Sequence, residues 1–120
     1  MAQNPRKYFI KDLINKTYPM EVWIQGTIEQ TVGNKILILS DTTARAKIKC
    51  ETADGIIDKN SIKKGTYCCI IGTVISSKGL PEIQATKFID LHSQPQMKFA
   101  WESEVRETEL FLEGKFVTSV

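Results

Sequence analysis

The side chains with chemical reach are few and scattered. There are three cysteines, Cys50, Cys68 and Cys69, and a single histidine, His92. An odd count with two adjacent members makes a poor disulfide framework. In an extended segment Cys68 and Cys69 point to opposite faces, so the pair cannot grip one metal. Buried free thiols in a reducing compartment are the ordinary reading. His92 stands beside Ser93 at a strand end, where a lone histidine serves as a surface or capping residue. Asp41 and Asp54 have no evident acid–base partner. Gly33, Gly55, Gly65, Gly72 and Gly79 are dispersed, so no phosphate-cradling loop is visible. Nothing here indicates an enzyme, a metal site or a cofactor.

Two patterns suit binding better than catalysis. Arg45, Lys47 and Lys49 alternate with Ala46 and Ile48, which puts three cations on one wet face of a strand. Met97, Trp101, Val105, Thr108 and Leu112 recur at steps of four, four, three and four, which puts them on one face of a helix. Tryptophan is enriched where protein interfaces are energetically strong. The stripe could pack on its own domain or against helices of another chain.

The elements that must carry these residues change period along the chain. Residues 1–7 are polar and end in Arg6-Lys7. In Tyr8–Ile14, Ile10, Leu13 and Ile14 stand at helical spacing, which suits a short helix or an irregular packed arm. Asn15–Pro19 reads as a connector. Glu21–Thr31 alternates, with Val22, Ile24, Gly26 and Ile28 on one face, so a first strand is expected with a bend at Gly26. Gly33-Asn34 suits a tight hairpin turn. Lys35–Ser40 and Ala44–Cys50 make the second and third strands, joined at Asp41-Thr42. Residues 51–65 lose the alternation; Ile56, Ile57 and Ile62 are their apolar anchors, and Lys64-Gly65 closes the link. Thr66–Ser76, bent at Gly72, is the fourth strand. Ser77–Gly79 is a turn, and Pro81–Leu91 is the fifth strand, with its proline at the first position. Five strands with one long link between the third and fourth predict a mainly β fold, a five-stranded Greek-key barrel of the OB type. Pro95 suits the first turn of a C-terminal α-helix, which Gly114 ends. The expected organisation is an N-terminal arm and barrel over 1–94, an interaction helix of the same domain over 95–113, and a tail over 114–120.

The totals agree with a single small domain. The chain has 120 residues, 42% hydrophobic and 25% charged, with a formal net charge of +2. A strong nucleic-acid binder usually carries a larger basic excess. No signal peptide opens the chain, and no apolar run approaches the ~20 residues that span a bilayer. The cytosol or the nucleus is therefore expected.

Several runs are similar to the RecQ-mediated genome instability protein 2 family. They are Val22-Trp23-Ile24-Gln25-Gly26, Gly65-Thr66-Tyr67, Ile71-Gly72-Thr73-Val74, and Pro81-Glu82-Ile83-Gln84-Ala85-Thr86-Lys87 followed by Asp90-Leu91. The helical run Trp101-Glu102-Ser103-Glu104-Val105 looks like the family's Trp-Glu-x-Glu-Val segment. The resemblance covers about residues 5–110, and the order and spacing of the runs carry it. It implies a nuclear OB-fold subunit without catalysis. The partner would be RecQ-mediated genome instability protein 1, inside a complex with topoisomerase III and a Bloom-type RecQ helicase that dissolves double Holliday junctions. In animal members the pair also docks a peptide of the Fanconi anaemia M translocase. By motif match Lys87 and Trp101 would sit at that partner-facing surface, and Lys7 would correspond to a basic residue of the family's N-terminal arm. The basic third strand is not part of the resemblance.

Two function classes therefore stand side by side. The first is a non-catalytic scaffold subunit, with Lys87, Met97, Trp101, Val105, Thr108, Leu112 and Lys7 as partner-binding residues. The alternative is a single-stranded nucleic-acid-binding OB subunit of the replication protein A or telomere type, using Arg45, Lys47 and Lys49. The second and third strands hold no aromatic residue on which a base could stack, and the flanking loops are short. Direct nucleic-acid binding is accordingly expected to be weak or absent. A homodimer through the same helix is a third, lesser reading. For the scaffold reading, the stripe of the helix must be left bare by its own barrel.

Overall fold

The computed structural model describes residues 6–14, 20–33, 35–50, 62–76 and 79–112, with only the backbone for 111 and 112. The connector 15–19, Asn34, Ile56, Ile57, Ser77, the Leu112 side chain and the tail with Gly114 lie outside the described residues. So do Asp54 and Gly55.

Alternation in the sequence becomes alternation of burial. The strands are β1 (Arg6–Lys7), β2 (Met20–Val32), β3 (Ile36–Ser40), β4 (Arg45–Lys49), β5 (Tyr67–Ser76) and β6 (Glu82–Asp90). A 3-10 turn, Ile10–Leu13, follows β1, and the helix α1 spans Pro95–Leu112. Val22, Ile24 and Ile28 of β2 meet Leu37, Leu39, Ala46, Ile48, Ile70, Ile83 and Phe88 in one buried core. Ile10 and Leu13 of the arm join them. Burying side chains of this size contributes about 1.5–3 kcal/mol each.

Among the described residues the strand order is β1-β2-β3-β4-β6-β5, and β5 returns to pair with β2. That last pairing, antiparallel from Met20↔Val74 to Thr27↔Tyr67, closes β2–β6 into a five-stranded barrel. The long strand β2 serves both ends of the closure. Its first half pairs with β5 and its second half with β3, with a register shift between Ile28 and Gln30. Gly26 sits where the two pairings meet. A Cβ there would stand 2.5 Å from the Ser40 carbonyl oxygen, so only glycine allows the approach. Gly72 has the same role opposite the Gln84 carbonyl, at a register shift between β5 and β6.

The expected five strands and the C-terminal helix are present. β1 was not legible: two residues paired parallel to Val22 and Trp23 leave no alternation to read. Asp41 meets no acid–base partner among its contacts, but it has a structural role that local sequence does not show. Its Oδ1 accepts from the Thr43 and Ala44 N–H groups and the Thr43 hydroxyl, and its Oδ2 accepts from the Ile10 N–H at 2.8 Å. One carboxylate thus shapes the β3–β4 turn and fastens the arm across the barrel's end.

Candidate interaction site

The helix is launched from the end of β6. The His92 N–H donates to Asp90 Oδ1 at 2.8 Å, and the Gln94 N–H donates to the Leu91 carbonyl. The His92 side chain is exposed. Pro95 takes the first helical position, where a missing N–H costs nothing.

The stripe of α1 is not left bare, which corrects the sequence reading. Trp101 is 4% exposed and Val105 is 0% exposed, packed with Phe9 and with half-buried Trp23. The physical reason is an apolar saddle outside the barrel core. Trp23 projects from the outer face of β2, and the arm lays Phe9 beside it. Neither residue stood out in the sequence as a seat for a helix. Trp101 and Val105 therefore fix α1 to its own domain, and Met97 and Thr108 lie at the margins, partly exposed.

Lys7 is also committed within the chain. Its Nζ lies 2.9 Å from Glu104 Oε1 and 4.9 Å from the centre of the Trp23 ring. Arm, saddle and helix are joined at that one ammonium. Arg106 pairs with Glu102 one turn away at 2.9 Å, on the solvent side. Trp101 Nε1 is buried and meets no acceptor among the described residues. Lys87 is exposed on β6, with Ile71 as its cross-strand neighbour on β5.

The sequence reading missed a second stripe on α1. Phe99, Ser103, Arg106 and Leu110 stand at steps of four, three and four, nearly opposite Trp101 and Val105 at 3.6 residues per turn. Phe99 is 82% exposed, and Leu110 is also exposed. Phe99 and Leu110, about three turns apart on a face otherwise polar, were the signal. Beside it a cleft of about 370 Å³ separates the first half of the helix from the barrel, lined by Phe9, Gln25, Tyr67, Lys98 and Trp101 among others. Gln25 is 1% exposed and accepts a 2.9 Å bond from the Tyr67 hydroxyl. That pairing satisfies the one polar side chain β2 buries on this face.

The basic row lies elsewhere. Arg45, Lys47 and Lys49 are on the outer face of β4, with Glu29 3.9 Å from Arg45 and Glu82 3.6 and 3.7 Å from the two lysines. The three thiols are buried, and burial pushes them up: Cys50 to about 11, Cys69 to about 12, and Cys68 well above the ordinary value. For Cys69 the Trp23 indole and Lys7 oppose the rise. These are inert thiols, not nucleophiles. No cluster of three metal-binding side chains occurs among the described residues.

Comparison with known proteins bears on this geometry. The family model of RecQ-mediated genome instability protein 2 matches residues 7–109. No curated protein sequence matches the chain. Among solved structures, the telomere capping protein Ten1 of Saccharomyces pombe superposes with a TM-score of 0.66 at 15% identity, covering 88% of this chain and 98% of that one. A chain of the S. pombe Stn1–Ten1 complex gives 0.58 at 15%, covering 86% and 96%. Replication protein A of U. maydis bound to single-stranded DNA gives 0.65 at 14%, covering 98% and 100%. At these identities the structures show a shared OB fold.

Proposed function

The chain belongs to the RecQ-mediated genome instability protein 2 family, and from that membership we propose that it is a non-catalytic scaffold subunit of a nuclear genome-maintenance complex. Its partner is RecQ-mediated genome instability protein 1, bound barrel to barrel with helices apposed. The pair supports double Holliday junction dissolution by a topoisomerase III and a Bloom-type RecQ helicase. The stripe that was to meet the partner is covered by the chain's own barrel, so the helix's part rests on its outer face: α1 is pinned on one side by Trp101 and Val105 and still carries Phe99 at 82% exposure on the other. A helix held that firmly presents its outer face without further ordering, which removes part of the entropic cost of association. Met97 and Thr108 stay partly exposed on the seated side of the helix, Lys87 is exposed on β6, and Lys7 supports the helix through Glu104.

Co-purification with the partner tests the reading. Phe99→Ser should reduce recovery of the pair at least tenfold with an unchanged melting temperature. Trp101→Ala should lower both, because it unseats the helix. Partner recovery that is indifferent to Phe99→Ser would remove the outer face of α1 from the interface.

A further inference from the structure

The outer face of the β2–β3–β4 sheet carries a pattern that the helix does not use. Pairing register sets two rows across it. Val32, Ile36, Lys49 and Gln84 form one, and Gln30, Ile38, Lys47 and Glu82 form the next. Because Leu37, Leu39, Ala46 and Ile48 fill the core, their neighbours Ile36, Ile38, Lys47 and Lys49 face outward. The result is two lanes running along the strands. One is aliphatic, made of Ile36 and Ile38 with exposed Val32 at its end. The other is cationic, made of Arg45, Lys47 and Lys49.

We propose that this face docks an amphipathic, acidic segment of a protein partner, its aliphatic side chains on Ile36 and Ile38 and its carboxylates on Lys47 and Lys49. Charge complementarity selects the occupant. The carboxylates already present stand 3.6–3.9 Å from the cations, beyond hydrogen-bond length. Exposed pairs of that kind contribute about 0–1 kcal/mol, so an incoming carboxylate at about 2.8 Å can displace them. Partly exposed isoleucines beside the lysines offer an apolar partner the area it needs. A nucleic-acid strand fits less well. β3 and β4 hold no aromatic platform, a phosphodiester gains nothing from Ile36 and Ile38, and Glu29 and Glu82 oppose a continuous line of phosphates. The surface is separate from the seat of α1, which packs on β1 and β2.

Fluorescence anisotropy on the full chain tests this. The probe is a labelled peptide of about 16 residues, with leucines at helical i, i+4 spacing and glutamates flanking them. Expected is saturable binding that weakens at least tenfold between about 50 and 300 mM salt. Lys47→Gln with Lys49→Gln should cost about tenfold, and so should Ile36→Ser with Ile38→Ser, with melting temperatures recorded for each. Phe99→Ser should leave this binding unchanged, which separates it from the helix interface. The proposal is overturned if the peptide does not bind, or if Phe99→Ser abolishes binding. It is equally overturned if an oligo-dT of about 15 nucleotides binds more tightly than the peptide and loses that binding in the lysine variant.

Discussion

Asp41 is the residue with the most leverage for its size. Four donors converge on its carboxylate, one of them, the Ile10 N–H, from a segment 31 positions away. Hydrogen bonds to a charged group contribute about 1.5–3 kcal/mol, and the donors would be left unpaired if the acceptor were lost. Asp41→Ala is expected to destabilise the chain by roughly 2–3 kcal/mol, and Asp41→Asn by less, since one carbonyl acceptor remains. Denaturant titration of both variants checks the order; equal losses would mean that the ionised pair of oxygens is not what matters. The thiols give a pH dependence. Burial raises Cys50 from 9.0 to about 11 and Cys69 to about 12. The folded chain therefore keeps protons that the unfolded chain releases. Stability from this source is complete below pH 9 and declines as pH rises toward 11–12. Thermal melting between pH 8 and 10.5 should show a decline that is shallower in a Cys50→Ala, Cys69→Ala variant.

For the elements, the lesson is in α1. A stripe at coiled-coil-like spacing suggested a helix with nowhere to pack. The barrel's outer face supplied the missing seat, because Phe9 from the arm and Trp23 from β2 come together although 14 positions apart. Trp101→Ala should cost about 3–5 kcal/mol of stability, as truncations of buried aromatic residues do. A loss under about 1 kcal/mol by denaturant titration would show that the helix is only loosely seated. Lys7 belongs to the same assembly. The family's basic arm residue is expected at a partner surface, and here its ammonium is spent on Glu104 and Trp23. Its influence on a partner would run through the angle of the helix.

At the scale of the whole molecule, closure of the barrel is the sensitive step. β5 pairs with β2 on one side and β6 on the other, and Gly72 lets the last pair approach. Gly72→Ala places a Cβ against the Gln84 carbonyl and 2.9 Å from Ala85 Cα, so backbone rather than a flexible side chain must move. A destabilisation of roughly 1–3 kcal/mol is expected. Melting measured by near-ultraviolet circular dichroism would register it, and an unchanged midpoint would show that the sheet can flex there freely.

The sequence by itself determined the five barrel strands and their inward faces, because alternation with a period of two is a local property that burial must respect. It also determined that α1 is a helix with an apolar stripe. Only the tertiary structure decided what the stripe touches. Phe9, Trp23 and Trp101 come together through barrel closure, and no local pattern encodes which outer face a later helix will meet. The clamp at Asp41 and the pairing of the β4 cations with Glu29 and Glu82 are of the same kind. Each joins segments distant in the chain, and their proximity follows from register.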